Sequence, residues 1–285
     1  MRAQRRPLVV LVLVGALLAG LVACGSDKAT TSSSSGTTTS TPSTSDPTAT
    51  TEVRAYFMRG EKVGPVARTS PKETVAAGAV DGLLAGPTAA EQALGFSSAV
   101  PTGTKLNSVV IADRIATVDL SAEFTSGGGS ASMRARVAQV VFTVTQFPTV
   151  DGVSFKIDGA PITTLGGEGL SVVAPQTRAG WDELSPLILV ESPLPSATVT
   201  VPLRITGSAN TFEAAFQVTV TDSGGHVLYD KPAMATSGSG TRGTFDVTAA
   251  FDLPAATAAT LTVFEVSAEN GNRVNSVEIP LQLSK

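Results

Sequence analysis

Ile115-Ala116-Thr117-Val118-Asp119-Leu120, the loop Ser126-Gly127-Gly128-Gly129, a helical run from Ser130, and Val153-Ser154-Phe155-Lys156-Ile157 decide how the first half of this chain folds. The two outer segments are short, rich in β-formers and bounded by turn residues, so they read as strands. Between them Ser130 can cap a helix that sets Met133, Val137, Val140, Val141 and Val144 on one side, and Pro148 stops it. Leu106 to Ala112 reads as a further strand, joined to Ile115 at Asp113-Arg114, and Asp158-Gly159 is a turn. Upstream, Val53, Ala55 and Phe57 alternate with polar partners up to Arg59. Gly60-Glu61-Lys62 turns the chain, and Val63 to Arg68 reads as a weaker returning strand. Ser70-Pro71-Lys72-Glu73 has the form of a capping box. The helix it would open carries Val75, Ala76, Ala79, Val80, Leu83 and Leu84 on one face and ends at Gly86-Pro87. Thr88 to Glu91 is a second capping box, for a short helix closing near Gly95. Strands and helices interleave over residues 52–176, which predicts an α+β or α/β domain with a helix-covered sheet.

Beyond Gln176 helical periodicity stops. Residues 177–186 are expected to link two domains, and residues 187–285 break into short alternating segments. These are Leu187–Val190, Val199–Ile205, Ala214–Val220, Val227–Tyr229, Phe245–Phe251, Leu261–Val266 and Val274–Leu283, with Asn270-Gly271 as a hairpin signal between the last two. The spacing predicts an all-β, immunoglobulin-like sandwich. It has no cysteine pair, so apolar packing between the sheets must hold it; Phe216, Val218 and Val220 are expected inside, with Val277, Ile279, Leu281 and Leu283.

The N-terminus carries an address. Arg2, Arg5 and Arg6 precede an apolar stretch from Leu8 to Val22, short for a membrane span and suited to a signal peptide. Cys24, the single cysteine, closes Leu21-Val22-Ala23-Cys24. This resembles the lipobox of bacterial lipoproteins, which implies cleavage between Ala23 and Cys24 and diacylglyceryl transfer to the Cys24 thiol; an uncleaved anchor or an ordinary secretory leader is the other reading. Residues 1–23 are thus expected to be a lipoprotein signal peptide, and residues 24–51 a lipidated cysteine with a disordered tether. From Gly25 to Thr51, 18 of 27 residues are Ser or Thr, which leaves O-linked sugars open. Two acyl chains suffice for stable anchoring. The expected place is the extracytoplasmic face of the cell membrane.

After cleavage the chain holds 17 Lys+Arg against 24 Asp+Glu, a poor surface for nucleic acid. An acylated Cys24 leaves no thiol for a disulfide, a metal or nucleophilic catalysis. His226 is the single histidine, too few for most histidine metal sites, and reads as a turn or surface residue. Gly238-Ser239-Gly240-Thr241-Arg242-Gly243 fits a dinucleotide fingerprint letter for letter, but Phe245-Asp246-Val247 after it reads as strand rather than the required helix. Asp119 at a strand end has no second carboxylate placed to work with it, so it reads as a turn or cap acceptor; Glu213 reads as a structural acceptor. Trp181, the single tryptophan, either packs the two domains together or presents its ring to a ligand. No catalytic residue, metal site or cofactor is expected, and no ligand-binding residue is assigned.

Leu83-Leu84-Ala85-Gly86-Pro87, Ala116-Thr117-Val118-Asp119-Leu120-Ser121 and Val153-Ser154-Phe155-Lys156-Ile157-Asp158-Gly159 resemble the GerMN domain, named from bacterial spore germination and sporulation proteins, over about residues 53–165. Val190-Glu191-Ser192-Pro193, Ile205-Thr206-Gly207-Ser208-Ala209 and Val220-Thr221-Asp222-Ser223-Gly224-Gly225 are similar to Gmad2, an immunoglobulin-like domain of germination-related envelope proteins. The pair behind a lipobox implies a Gram-positive envelope lipoprotein without catalysis. It implies assembly, through a protein partner or self-association of the GerMN-like domain; the alternative is a module that binds a wall polymer or small solute between the domains.

Overall fold

The computed structural model describes residues 49–167 and 169–285. The expected signal peptide, the lipidation site Cys24 and the tether up to residue 48 lie outside the described residues. Strand β1 (Thr50–Arg59) turns at Gly60 into β2 (Lys62–Pro71), an antiparallel hairpin longer at both ends than the alternation predicts. The Ser70 capping box does not form. Ser70 stays in the ladder opposite Thr51 with its side chain turned inward, and a 3₁₀ turn, Lys72–Thr74, leads into α1 (Val75–Leu84) instead. There Gly78 of α1 lies so close that a Cβ would sit 2.0 Å from Ser70 Oγ, so glycine is what lets helix and strand touch. The second capping box does form, at the start of α2 (Ala89–Ala93): Glu91 N–H donates to Thr88 Oγ1 at 3.3 Å and Thr88 N–H to Glu91 Oε2 at 2.8 Å. Two residues, β3 (Phe96–Ser97), pair with the end of β1.

Next come β4 (Leu106–Ala112) and β5 (Ile115–Leu120), at the bounds read from the sequence. Their connection, Asp113-Arg114, has both residues at positive φ, +48° and +63°, which suits the twist of a tight hairpin. Arg114 is held there by Asp151, whose carboxylate takes its guanidinium at 2.5 and 2.6 Å. Helix α3 (Ser130–Val144) crosses to β6 (Gly152–Ile157), which pairs parallel with β5. With β7 (Ala160–Pro161) these make a sheet ordered β4-β5-β6-β7; β8 (Thr164–Leu165) and β9 (Leu170–Ser171) form a small hairpin. One core gathers Phe57, Leu83, Val118, Val137, Val141 and Phe155 from β1, α1, β5, α3 and β6.

The polar residues of α3 explain how β1 sits against it. Most of β1 pairs only with β2, so the N–H and C=O groups of its other edge would be orphaned in the core. Gln139 and Thr143 on one face of α3, with Gln146 in the turn just past its end, meet that edge. Tyr56 N–H donates to Thr143 Oγ1 (3.0 Å), Gln139 Nε2 to Tyr56 C=O (3.1 Å), Arg54 N–H to Gln146 Oε1 (2.8 Å) and Gln146 Nε2 to Arg54 C=O (2.6 Å). The helix thus replaces a neighbouring strand.

The second half is a sandwich of two sheets. One is ordered β10 (Ile188–Ser192), β12 (Leu203–Ala209), β15 (Gly243–Ala249). The other runs β11 (Thr198–Thr200), β17 (Arg273–Ser284), β16 (Thr257–Val266), β13 (Ala215–Asp222), β14 (Val227–Met234). The run expected as one strand, Val199–Ile205, is two: β11 pairs parallel with β17, the chain breaks at Val201-Pro202, and β12 joins the opposite sheet. Proline has no N–H to donate, and at Pro202 neither ladder continues. Phe216, Val218, Val220, Ile279, Leu281 and Leu283 are buried as expected, and Val277 is partly so. Phe216 and Phe245 meet between the sheets with ring centroids 4.8 Å apart, part of the apolar packing that holds a sandwich without a cysteine pair. The molecule is an α+β domain followed by an all-β immunoglobulin-like sandwich, and the described residues form one compact unit.

Candidate interaction surface

Asp119 is buried at the end of β5, where its Oδ1 accepts Gly159 N–H at 3.0 Å and Asn107 Nδ2 at 3.4 Å. It pins the Asp158-Gly159 turn to the sheet, as its position predicts. His226 is exposed, with Nδ1 3.1 Å from Asp222 Oδ2 across a four-residue turn. The glycine-rich segment 238–243 runs from the loop after β14 into Gly243, the first residue of β15, so strand follows it. Glu213 stands at φ +53° with its N–H donated to Ser239 Oγ. Among the described residues no group of three or more His, Cys, Asp or Glu is placed to hold a metal.

Trp181 is buried, 3% exposed, in the core of the first domain, and Leu189 of β10 enters the same core from the sandwich. The ring is buried against α3 of the first domain and is not displayed to a ligand. It sits at the kink, φ −125°, between two 3₁₀ turns of the segment Arg178–Leu184, which is bonded to both sides. Arg134 of α3 lies over the Trp181 ring at 5.3 Å and pairs with Glu183. Asp182 takes Arg242 of the sandwich at 2.5 Å, and Arg242 also donates to Pro186 C=O at 2.9 Å.

Beside this segment lies a charged network that sequence reasoning missed. Arg178 donates to Glu191 Oε1 of β10 at 2.8 Å, to Thr145 Oγ1 at 2.9 Å, to Phe142 C=O at 3.1 Å and to Tyr56 Oη at 3.2 Å, while Tyr56 Oη–H donates to Glu191. Burial pushes the Tyr56 hydroxyl far up, so it remains a donor. Burial also pushes the Glu191 carboxyl up, but the Arg178 charge and hydrogen bonds from Tyr56 and Arg178 outweigh it and hold Glu191 below the usual range. The one signal in the sequence was a carboxylate directly after the apolar run Ile188-Leu189-Val190.

Two grooves flank the junction. One, about 450 Å³, is bordered by Arg59, Lys62 and Phe96 from the first domain and by Ile188, Ser276 and Glu278 from the second. The other, about 540 Å³, lies among Arg54, Gln146, Glu191, Pro193 and Thr198. Trp181 borders neither. In the first, Arg59 donates to Glu278 C=O at 3.0 Å and Lys62 to Glu183 C=O at 2.5 Å, so both cations are engaged within the protein.

The sheet of the first domain ends in a bare edge. β4 pairs with β5 on one side only, and Val110 and Ile111 on it are 59% and 42% exposed. A strand with one free side presents N–H and C=O groups to any chain that can pair with them.

Residues 45–163 match the family model Germane, described as sporulation and spore germination. Residues 187–272 match Gmad2, the immunoglobulin-like domain of bacterial spore germination. No curated protein matches the chain. Among solved structures it is similar to the tandem GerMN domains of the sporulation protein GerM from Bacillus subtilis, at 20% identity and a TM-score of 0.39, over 65% of this chain and 60% of that one. It is similar also to the first GerMN domain of that protein (25%, TM-score 0.36, covering 45% and 98%) and to a candidate lipoprotein from Clostridium perfringens (21%, TM-score 0.35, covering 48% and 92%). The chain thus spans 60% of the length of the tandem-domain structure. Its described body is a Germane domain followed by a Gmad2 immunoglobulin-like domain.

Proposed function

We propose that this protein is a non-catalytic, lipid-anchored component of the cell envelope that binds a protein partner through its Germane domain, in sporulation, germination or a related envelope process. Cys24 is the lipidation site and the Ala23–Cys24 bond the cleavage site, so Cys24→Ser abolishes acyl labelling and membrane retention. No helix among the described residues is long and apolar enough to cross a membrane; the attachment proposed is the acyl group on Cys24. The observation that carries the reading is the unpaired edge of β4 with Val110 and Ile111 exposed on it. In-cell crosslinking followed by mass spectrometry tests it: capture of a membrane protein or of the chain itself through residues 53–165 is expected.

A second reading rests on the groove of about 450 Å³ between the domains, where exposed Ser276 and Glu278 stand beside the partly exposed Val277 and Pro195, open to a small solute or wall polymer. Wall fragments retained on the purified protein, with no protein captured, would overturn the first reading in favour of this one.

A further inference from the structure

We propose that one end of the Gmad2 sandwich is a docking surface of its own, built around Phe212, and that it takes a polypeptide segment carrying a large apolar side chain beside a lysine or arginine. The inference is independent of what the Germane domain binds. Phe212 is 59% exposed, although a sandwich ordinarily buries such a ring. With Val266, itself 51% exposed, and with Pro232 and Ala268 it borders a groove of about 320 Å³. Met234 extends the apolar surface: it is 67% exposed and stands opposite Ala215, another residue of the groove. Apolar residues scattered singly on a surface are ordinary, whereas a group of them beside a groove marks a contact site.

The loop that carries the ring is held in place at a cost. Glu213 and Ala214 both stand at positive φ, +53° and +60°, a region unfavourable to residues with a Cβ. Glu265 Oε1 accepts Phe212 N–H at 2.9 Å, Ser239 Oγ accepts Glu213 N–H at 2.9 Å, and Ser239 N–H donates to Thr211 C=O at 2.9 Å. Gly238 lies so close to the loop that a Cβ there would sit 2.4 Å from both Ala214 N and Thr211 C=O. An aromatic ring on a backbone fixed before contact loses little freedom on binding, which is what makes a good anchor.

Charge selects the partner. Glu213 and Glu265 border the groove, and Glu269 follows Ala268. No ion pair among the described residues includes any of the three. The bonds to Glu265 come from neutral donors, Phe212 N–H and Asn275 Nδ2, the latter at 2.7 Å. Arg273, opposite Val266 in the ladder, lies over the Phe264 ring at 4.4 Å. Lys231 precedes Pro232 and so alternates to the other face of β14. Three carboxylates against one guanidinium leave the surface negative. It therefore favours a basic segment and opposes both anionic lipid headgroups and a second copy of itself.

The test places the photocrosslinker p-benzoylphenylalanine at position 268, and separately at position 234, of the full chain in its membrane. The expected adduct is to a protein whose crosslinked peptide, sequenced by mass spectrometry, carries Lys or Arg within a few residues of a large apolar side chain. Phe212→Ala and Glu213→Lys should each lower its yield by about tenfold, with Tm unchanged because both side chains are exposed. An adduct to lipid alone, to a second copy of this chain, or to a peptide without a base overturns the proposed partner. A yield indifferent to both substitutions, or no adduct from either position, overturns the site. A lowered Tm for Phe212→Ala overturns it too, since the ring would then serve the fold. Crosslinking through residues 53–165, read in the same cells, decides the Germane reading separately.

Discussion

Gln139 shows how much a single buried side chain can decide. It is fully buried, and its amide is used at both ends: Nε2 donates to Tyr56 C=O at 3.1 Å and Oε1 accepts Ala99 N–H at 2.8 Å. Replacing it with leucine keeps the volume but strands one backbone acceptor and one donor away from water, each costing about 1–3 kcal/mol. Gln139→Leu should therefore destabilise the protein by about 3 kcal/mol. Gln139→Glu should also destabilise, because a carboxylate cannot donate to Tyr56 C=O. Urea denaturation checks both, and an unchanged midpoint for Gln139→Leu would show that the edge of β1 finds other partners. Sequence periodicity does not reveal this role. A glutamine on an otherwise apolar helix reads as a polar interruption until the unpaired backbone opposite it is known.

At the scale of elements, legibility followed local chemistry. β4 and β5 were readable to the residue because alternation and a two-residue connection fix both bounds. The Thr88–Glu91 box was readable because both of its bonds are made within four residues. The Ser70 box failed on a non-local ground: the hairpin kept Ser70 in its ladder, which turned the side chain that would cap toward Gly78. The split of Val199–Ile205 was signalled by Pro202, but that its two parts belong to opposite sheets depends on β17, some eighty residues on. The bare edge of β4 is of the same kind, since a strand is an edge only by the absence of a neighbour. The sandwich supplies a test at this scale. Gly207 of β12 pairs with Val190 of β10, and a Cβ there would be 2.1 Å from Leu189 C=O and 2.7 Å from the Phe245 ring. Backbone cannot yield as a flexible side chain can, so Gly207→Ala should cost about 2–3 kcal/mol, the upper part of the range for overpacking. Thermal unfolding reads it, and a loss under about 0.5 kcal/mol, typical of surface changes, would mean that β10 moves freely.

At the scale of the molecule the question is whether two domains act as one, and Glu191 is where that can be measured. It lies in the sandwich, Tyr56 lies in the Germane domain, and Arg178 belongs to the segment between them, so the network binds all three. The side chains of Arg178 and Glu191 are 28% and 19% exposed, so little water is left to screen them. Removing one member of such a pair leaves the other charge buried and costs about 3 kcal/mol, the low end for buried pairs. Glu191→Gln should show that loss at neutral pH. The sign of the pH dependence follows from the direction of the shift: Glu191 is held below its ordinary value in the fold, so it binds a proton more readily when unfolded. Its contribution is complete above the unfolded value, about 4.3, and fades as pH falls through the lower folded value. Wild type should thus lose its advantage over Glu191→Gln as the solution is acidified below about pH 4.3. Other carboxylates titrate there too, Glu91 beside Arg68 among them, which is why the difference between the two proteins is the quantity to follow. A difference that stays constant down to low pH would mean that Glu191 does not carry the junction as an ionised group. A difference that closes, together with an increase in the radius of gyration for Glu191→Gln, would show that this contact holds the Gmad2 domain against the Germane domain and fixes how its open edge is presented.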